Sequence, residues 1–357
     1  MIAKRLLWLV CVPFLAAACG GGGGSAPPPE NRAENLYVRA NGNDANDGLS
    51  PDTAFREVNT AAARSTPGDV IIAGPGTYKP VTIVNEGSSA QPITFLADPT
   101  GQMTADTPGE VILDAAGTEA AFKVSNKSHI IVDGFTALNS AAGSGSAGIL
   151  VKSSSTSDVI VRNCIARNNS AMGIRVADAV NVTVVNNLVY GNQGYGIGVL
   201  GKVVNNQTQS INVRVYDNTV FGNNGGGITV GSSSLPARDT AFVNNIINAN
   251  MGSGFSVFAG VPSSLDGLIE KFNLNTDGYA GTTASPDSLT MVDPEFIAPG
   301  SDFRLAQPPD QPVLSPAVDA GDPATPGDIA DTVRDRTTST NNTADAGRLD
   351  LGYHYPS

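Results

Sequence analysis

The chain has 357 residues, 41% apolar and 15% charged, with a formal net charge of −12. It is large enough to bury an extended core. It carries no basic stripe, which argues against nucleic acid as a partner. The same charge opposes long-range attraction of an acidic polysaccharide unless a cation or a local basic cluster mediates.

Residues 1–19 read MIAKRLLWLVCVPFLAAAC, with Lys4 and Arg5 before an apolar core. That is the pattern of a secretory signal, and it is shorter than the ~20 apolar residues of a membrane span. LAAAC followed by Gly20 resembles a bacterial lipobox. The resemblance implies lipidation of Cys19, a membrane anchor, and a cell-envelope lipoprotein sorted to the outer membrane or cell surface. Loss of Lys4 and Arg5 takes the formal charge from −12 to −14. Residues 20–35 begin GGGGGSAPPPE, a flexible then stiffer tether. Cys11 leaves with the signal and Cys19 carries lipid, so Cys164 is alone and no disulfide framework is expected.

Between tether and repeats, Ala54 to Arg64 reads as a short helix, capped by Asp52 or Thr53 and ended before Pro67-Gly68. It is expected to cap the open N-terminal end of a solenoid, where exposed edges invite pairing. Asp44, Asn46, Asp47 and Gly48 faintly resemble the start of a calcium loop, but Phe55 stands where a glutamate ligand belongs, so a structural turn is the better reading.

The centre of the chain writes one line four times: VIVRNCIARNNSAMGIRV from Val159, VTVVNNLVYGNQGYGIGV from Val182, VRVYDNTVFGNNGGGITV from Val213 and TAFVNNIINANMGSGFSV from Thr240. All length variation falls after the closing valine. Period-two alternation, as in Val213, Val215 and Ile228, Val230, predicts three short strands per copy. Asparagine recurs at Asn187, Asn218 and Asn245, and again at Asn169, Asn192, Asn223 and Asn250. Stacked coils would place these amides one above another in ladders. Cys164 occupies the first asparagine column as a buried thiol, and Asp217 falls at a turn or ladder position. A degenerate coil runs from Ile130 to Val151.

This columnar pattern resembles the right-handed parallel β-helix of the pectate lyase type. The fold expected is an all-β solenoid over residues 36–305 with a short N-terminal capping helix. Residues 306–357, rich in Asp and Pro, contain SPAVDAG and DLGYHY and resemble the closing segment of bacterial β-helix surface proteins. They are expected to form a C-terminal cap, with 337–344, TTSTNNTA, as a disordered loop. Asp319, Asp322, Asp328, Asp331, Asp335, Asp345 and Asp350 could gather around calcium, although a solvated acidic loop is the blander reading.

The resemblance implies lyase chemistry: a carboxylate-held calcium neutralises a uronate, and a Lys or Arg removes the adjacent proton. Here the columns before the glycine read SAMG, QGYG, NGGG and MGSG instead of paired aspartates. No zinc spacing, nucleophile motif or phosphate loop is present. His129 and His354 stand too far apart in sequence to expect a shared site.

What remains is a small constellation on the GI-x-V strands. Arg175 projects outward beside Gly198 and Thr229, whose small side chains would leave a shallow trough for a sugar ring. Lys152, Asp178 and Lys202 fall at nearby corners, and Tyr195 is placed to stack on a sugar. Two functions follow. One is a non-catalytic surface, displayed on the envelope, that binds acidic polysaccharide or another surface partner. The other is a polysaccharide lyase or epimerase with Arg175 as base. No cofactor is firm for either, and calcium is possible.

Overall fold

A computed structural model describes residues 33–204, 207–260 and 264–356. The expected signal peptide, Cys19 and nearly all of the tether lie outside these residues. Residues from Ala33 onward form one compact unit.

Each coil contributes one strand to each of three sheets. In the first full repeat these are Ser157–Arg162, Ile165–Arg167 and Met172–Ala177. The next coil supplies Val180–Val185, Leu188–Tyr190 and Tyr195–Leu200. Equivalent strands pair in parallel and in register, as Val159 with Val182, Ile165 with Leu188 and Ile174 with Ile197. Among the described residues the three sheets hold ten, nine and eight strands. Inward residues such as Val161, Val184, Val215 and Phe242 are fully buried in one continuous core. Removing that apolar surface from water is the main driving force for the stack.

The turns run on stacked amides, as the columns predict. Asn187 Nδ2 donates to Asn218 Oδ1 at 3.0 Å, Asn218 to Asn245 at 3.0 Å, and Asn245 to Asn273 at 2.9 Å. The second ladder runs from Asn169 through Asn192, Asn223 and Asn250, with steps of 2.9, 2.8 and 2.9 Å. Both extend further than the sequence columns, the first to Asn273 and the second to Asp277. Cys164 is buried at the head of the first ladder and donates its backbone N–H to Asn187 Oδ1 at 2.9 Å. Burial pushes its thiol up to about 12.

The N-terminal helix is shorter than expected, Val58–Arg64. Phe55 is extended instead and fully buried, because its backbone bridges Val38 and its ring fills the edge of the core. The helix buries Val58, Ala61 and Ala62 in the end of the main core, which is the capping role expected of it. Asp44 is a turn residue: Oδ1 accepts the Arg56 and Glu57 N–H groups at 3.0 and 2.9 Å. The first strand, Asn35–Val38, begins one residue before the expected domain boundary.

The C-terminal part corrects the sequence reading more substantially. The last coil strand is Leu289–Thr290. Phe296–Ala298 and Asp302–Leu305 then form an antiparallel hairpin that lies on the flank of the second sheet. There Phe296, Phe303 and Leu305 cover Leu188, Ile246 and Phe221, and the Phe303 ring stands 5.3 Å from Tyr190 and 5.1 Å from Phe221. A second helix, Gly327–Val333, presses Ile329 against Val185, Tyr216 and Val243 on the first sheet. Residues 306–356 are therefore a lateral strap, where a terminal cap was expected. Thr337, Thr338 and Ser339, expected in a disordered loop, are buried, and Arg336–Thr337 pairs with Tyr355–Pro356.

The strap runs backward along the stack. Gly352 N–H donates to Asn244 O, Tyr353 N–H to Thr219 Oγ1 and His354 N–H to Asn186 Oδ1, each residue stepping back one coil.

Candidate functional site

The predicted residues meet on the outer face of the third sheet. In-register pairing lines up Lys123, Leu150, Arg175, Gly198, Thr229 and Ser256 in one column. Ser125, Lys152, Ala177 and Leu200 form the next. Asp178 and Lys202 follow at the corner.

Arg175 is half-buried. Its Nη1 reaches only the Gly145 carbonyl, at 3.5 Å, and its Nε has no hydrogen-bond partner. Among the described residues no carboxylate, Asp178 included, forms an ion pair with it. Burial lowers the Arg175 pKa from its ordinary value, opposed by the charges of Asp178 and Glu119. Burial raises that of Asp178, against the pull of Arg175 and Lys202. A left-handed backbone, φ 60°, turns Asp178 out of the strand line.

Glu119 belongs to this cluster and was not singled out from sequence. It accepts from Lys123 Nζ at 2.6 Å and also from Lys152 Nζ. Burial works to raise its pKa, but the hydrogen bonds from Lys123 and Lys152 hold it below the usual value. Its coil carries none of the repeated columns, so nothing in the sequence aligned it with Lys152. Lys202 Nζ donates to Ser154 O at 2.7 Å.

The expected trough fails on packing. The trough beside Arg175 is filled: a Cβ at Gly198 would meet Met172 Sδ at 2.5 Å, so Met172 lies over that glycine. Leu150 in the outward column is fully buried, packed with Ala120, Ala147 and Met172. Tyr195 lies over Gly226, where a Cβ would stand 2.7 Å from its ring, so one face of the ring is already occupied.

A calcium site does not fit these residues. Among the described residues no three His, Cys, Asp or Glu side chains gather to hold a metal. Three strap aspartates serve separate cations: Asp322 faces Lys271 at 2.7 Å, Asp328 Arg214 at 2.8 Å and Asp345 His354 at 2.9 Å. His354 is buried in the strap, while His129 lies on the first sheet, so the two histidines share no site.

The right handed beta helix region, as a family model, matches residues 116–267. Solved structures carry the same architecture. A lacto-N-biosidase from Eubacterium ramulus superposes with a TM-score of 0.52 at 14% identity, over 69% of this chain and 57% of that one. The fold is a right-handed parallel β-helix. The β-helix described here thus spans 57% of the lacto-N-biosidase's length. A pectate lyase matches at 17% identity over 91% of this chain and 96% of that one, with a TM-score of 0.41. An alginate lyase matches at 17% identity over 69% and 35%, with a TM-score of 0.39. No curated protein matches the chain in sequence. At these identities the likeness is one of fold, and function has to be argued from the site.

Proposed function

We propose that this β-helix is a non-catalytic, envelope-tethered lipoprotein that binds acidic polysaccharide through the third sheet. One observation carries the reading. Lys123, Lys152, Arg175 and Lys202 meet only Glu119 and Asp178 there, leaving local positive charge on a chain of −12. Within that cluster Arg175 keeps a buried Nε with no acceptor. A half-buried guanidinium with unspent donors is a receptor for a carboxylate, and charge-assisted hydrogen bonds are the stronger kind, roughly 1.5–3 kcal/mol.

Arg175→Ala is expected to weaken binding of a uronic-acid oligosaccharide ten- to a hundred-fold, since ~1.4 kcal/mol is tenfold. Lys202→Ala removes less, because its ammonium already serves the Ser154 carbonyl. Calorimetric titration decides it, and indifference to both changes sinks the reading. The anchor at Cys19 has its own check: fatty-acid label must enter the wild type and not the Cys19→Ser variant.

The lowered pKa of Arg175 favours a second reading, a lyase or epimerase with that residue as base. Ultraviolet absorbance of an unsaturated product, followed with uronic-acid polysaccharides, would establish the lyase, and solvent deuterium uptake without such absorbance the epimerase.

A further inference from the structure

The first sheet carries a cavity, unrelated to the charged cluster. It encloses about 290 Å³ over the outward face of the coils that start at His129, Asp158, Asn181 and Asn212. Ile131 and Ile160 form an apolar floor, and Ser88, Ser89 and Pro92 close one end. Arg214 stands at the other end.

The rim residues share one backbone geometry. His129, Asp158, Asn181 and Asn212 occupy equivalent positions on successive coils, with φ of 58°, 55°, 53° and 45°. This left-handed conformation is one that Asn, Asp and His tolerate best. It fixes their side chains in a row with the ~4.8 Å spacing of stacked strands. Asn181 Nδ2 donates to Asp158 Oδ1 at 3.2 Å and Asn212 Nδ2 to Asn181 Oδ1 at 3.0 Å. Each amide has two N–H donors and two acceptor lone pairs, so Asn181 and Asn212 each keep a spare donor and a spare acceptor, while Asp158 only accepts. The His129 ring makes no hydrogen bond among the described residues; its nearest charged partner is Asp158 Oδ2, at 3.9 Å.

The cavity offers no unmatched positive charge. Arg214 is held by Asp328 at 2.8 Å and by Thr183 Oγ1 at 3.0 Å, so its charge is matched before any ligand arrives. Asp158 adds a carboxylate that accepts from the Ser157 hydroxyl and pairs with no Lys or Arg among the described residues. A uronate would meet an acidic rim and a spent guanidinium, whereas an uncharged polyol meets alternating donors and acceptors above a hydrocarbon floor. Small-molecule sites share that composition: mostly apolar walls with a few converging polar groups.

We propose that this groove is a separate binding site for an uncharged sugar chain, with one ring face on Ile131 and Ile160 and hydroxyls on the Asp158–Asn181–Asn212 row. Two neutral and acidic sites on different sheets would let one molecule hold two glycans at once. The proposal does not depend on the role given to Arg175.

The test uses the unit from Ala33 onward with isoleucine methyl groups labelled. Neutral hexasaccharides of the xylan, cellulose, mannan and starch type are titrated to millimolar concentration, beside a uronic-acid hexasaccharide. At least one neutral probe should shift the Ile131 and Ile160 methyl signals. Ile160→Glu, which sets a charge on the outward floor, should weaken that binding at least tenfold. Asp158→Asn keeps a residue that tolerates the turn and should weaken it severalfold, which preserves the test if Ile160→Glu does not fold. Arg175→Ala should leave neutral binding unchanged. No neutral probe reaching the two methyls, wild-type affinity in both groove variants, or preference for the uronic-acid probe at these methyls would each overturn the assignment.

Discussion

Two columns of residues turn the same corner of the β-helix, one position apart, and behave oppositely. The inner column, Asn187, Asn218, Asn245 and Asn273, is chemically uniform. Each amide donates to the next and to backbone carbonyls, and each carbonyl accepts from the coil before. The outer column, Asn163, Asn186, Asp217 and Asn244, faces the strap and is mixed. Asn186 exchanges hydrogen bonds with the His354 backbone, and Asn244 accepts from Asp322 N–H. Asp217 is fully buried, and neither carboxylate oxygen has a hydrogen-bond partner. A uniform buried ladder saturates itself and owes nothing to pH. A ladder interrupted by one acid stores a titration.

The largest break should come from the inner column. Asn218→Leu removes the acceptor for both Asn187 donors and the donor to Val184 O, Tyr216 O and Asn245. Buried groups left without partners cost about 1–3 kcal/mol each, so a total loss of roughly 3–5 kcal/mol is expected in denaturant unfolding. An unchanged midpoint would remove the ladder from the account of stability.

The outer column predicts a smaller, pH-dependent effect. Burial pushes Asp217 up to about 7, partly offset by His354. In the unfolded chain the same group titrates near the ordinary value of 3.8. Between these values the folded protein holds the extra proton, so stability falls as pH rises from about 4 through 7. Burial works to lower the His354 pKa, but the Asp345 hydrogen bond and the nearby Asp217 and Asp350 charges raise it on balance. Its contribution is present below 6.5 and is lost as pH climbs through the higher folded value. Both groups slope the same way. Asp217→Asn should flatten the fall in melting temperature between pH 5 and 8 and raise stability at pH 8. A variant as steep as the wild type would place the titration elsewhere.

The smallest effect is expected at Cys164, where the inner column begins. Its thiol reaches Arg162 O at 3.1 Å, much as Asn187 Nδ2 reaches Val185 O. Cys164→Asn should extend the ladder by one step and leave stability within about 1 kcal/mol of wild type. A loss as large as that of Asn218→Leu would show that the first coil cannot accommodate an amide.

The repeats made the coils and both inner ladders legible, because identical turn residues recur where identical backbone conformations stack. Their ends were not legible: Asn273 and Asp277 continue the ladders in a coil whose strands have lost the pattern. The strap left a signal that was missed. Outward positions of the second strand are apolar, as at Ile165, Leu188, Phe221 and Ile246, when a solvated sheet face would alternate with polar residues. Something had to cover them, and the hairpin after Pro294 does so together with Ala317, Leu351 and Tyr353. Of the charged cluster, Arg175, Lys152, Asp178 and Lys202 were found from column alignment. Glu119 was not, and the filling of Gly198 by Met172 depends on a cross-coil packing that no single line of sequence displays.

The returning strap changes how the stack comes apart. In a bare solenoid, coils couple only to neighbours, and the ends fray rung by rung. Here Asn186 and His354 are bonded across 168 positions of chain, and Thr219 and Asn244 are held by the two residues before it. Three successive rungs are thereby clamped along their flank and must open as one unit. Amide hydrogens of these rungs should exchange at a common rate, set by release of the strap, while the coils ahead of Ser157 exchange independently and in order from their own end.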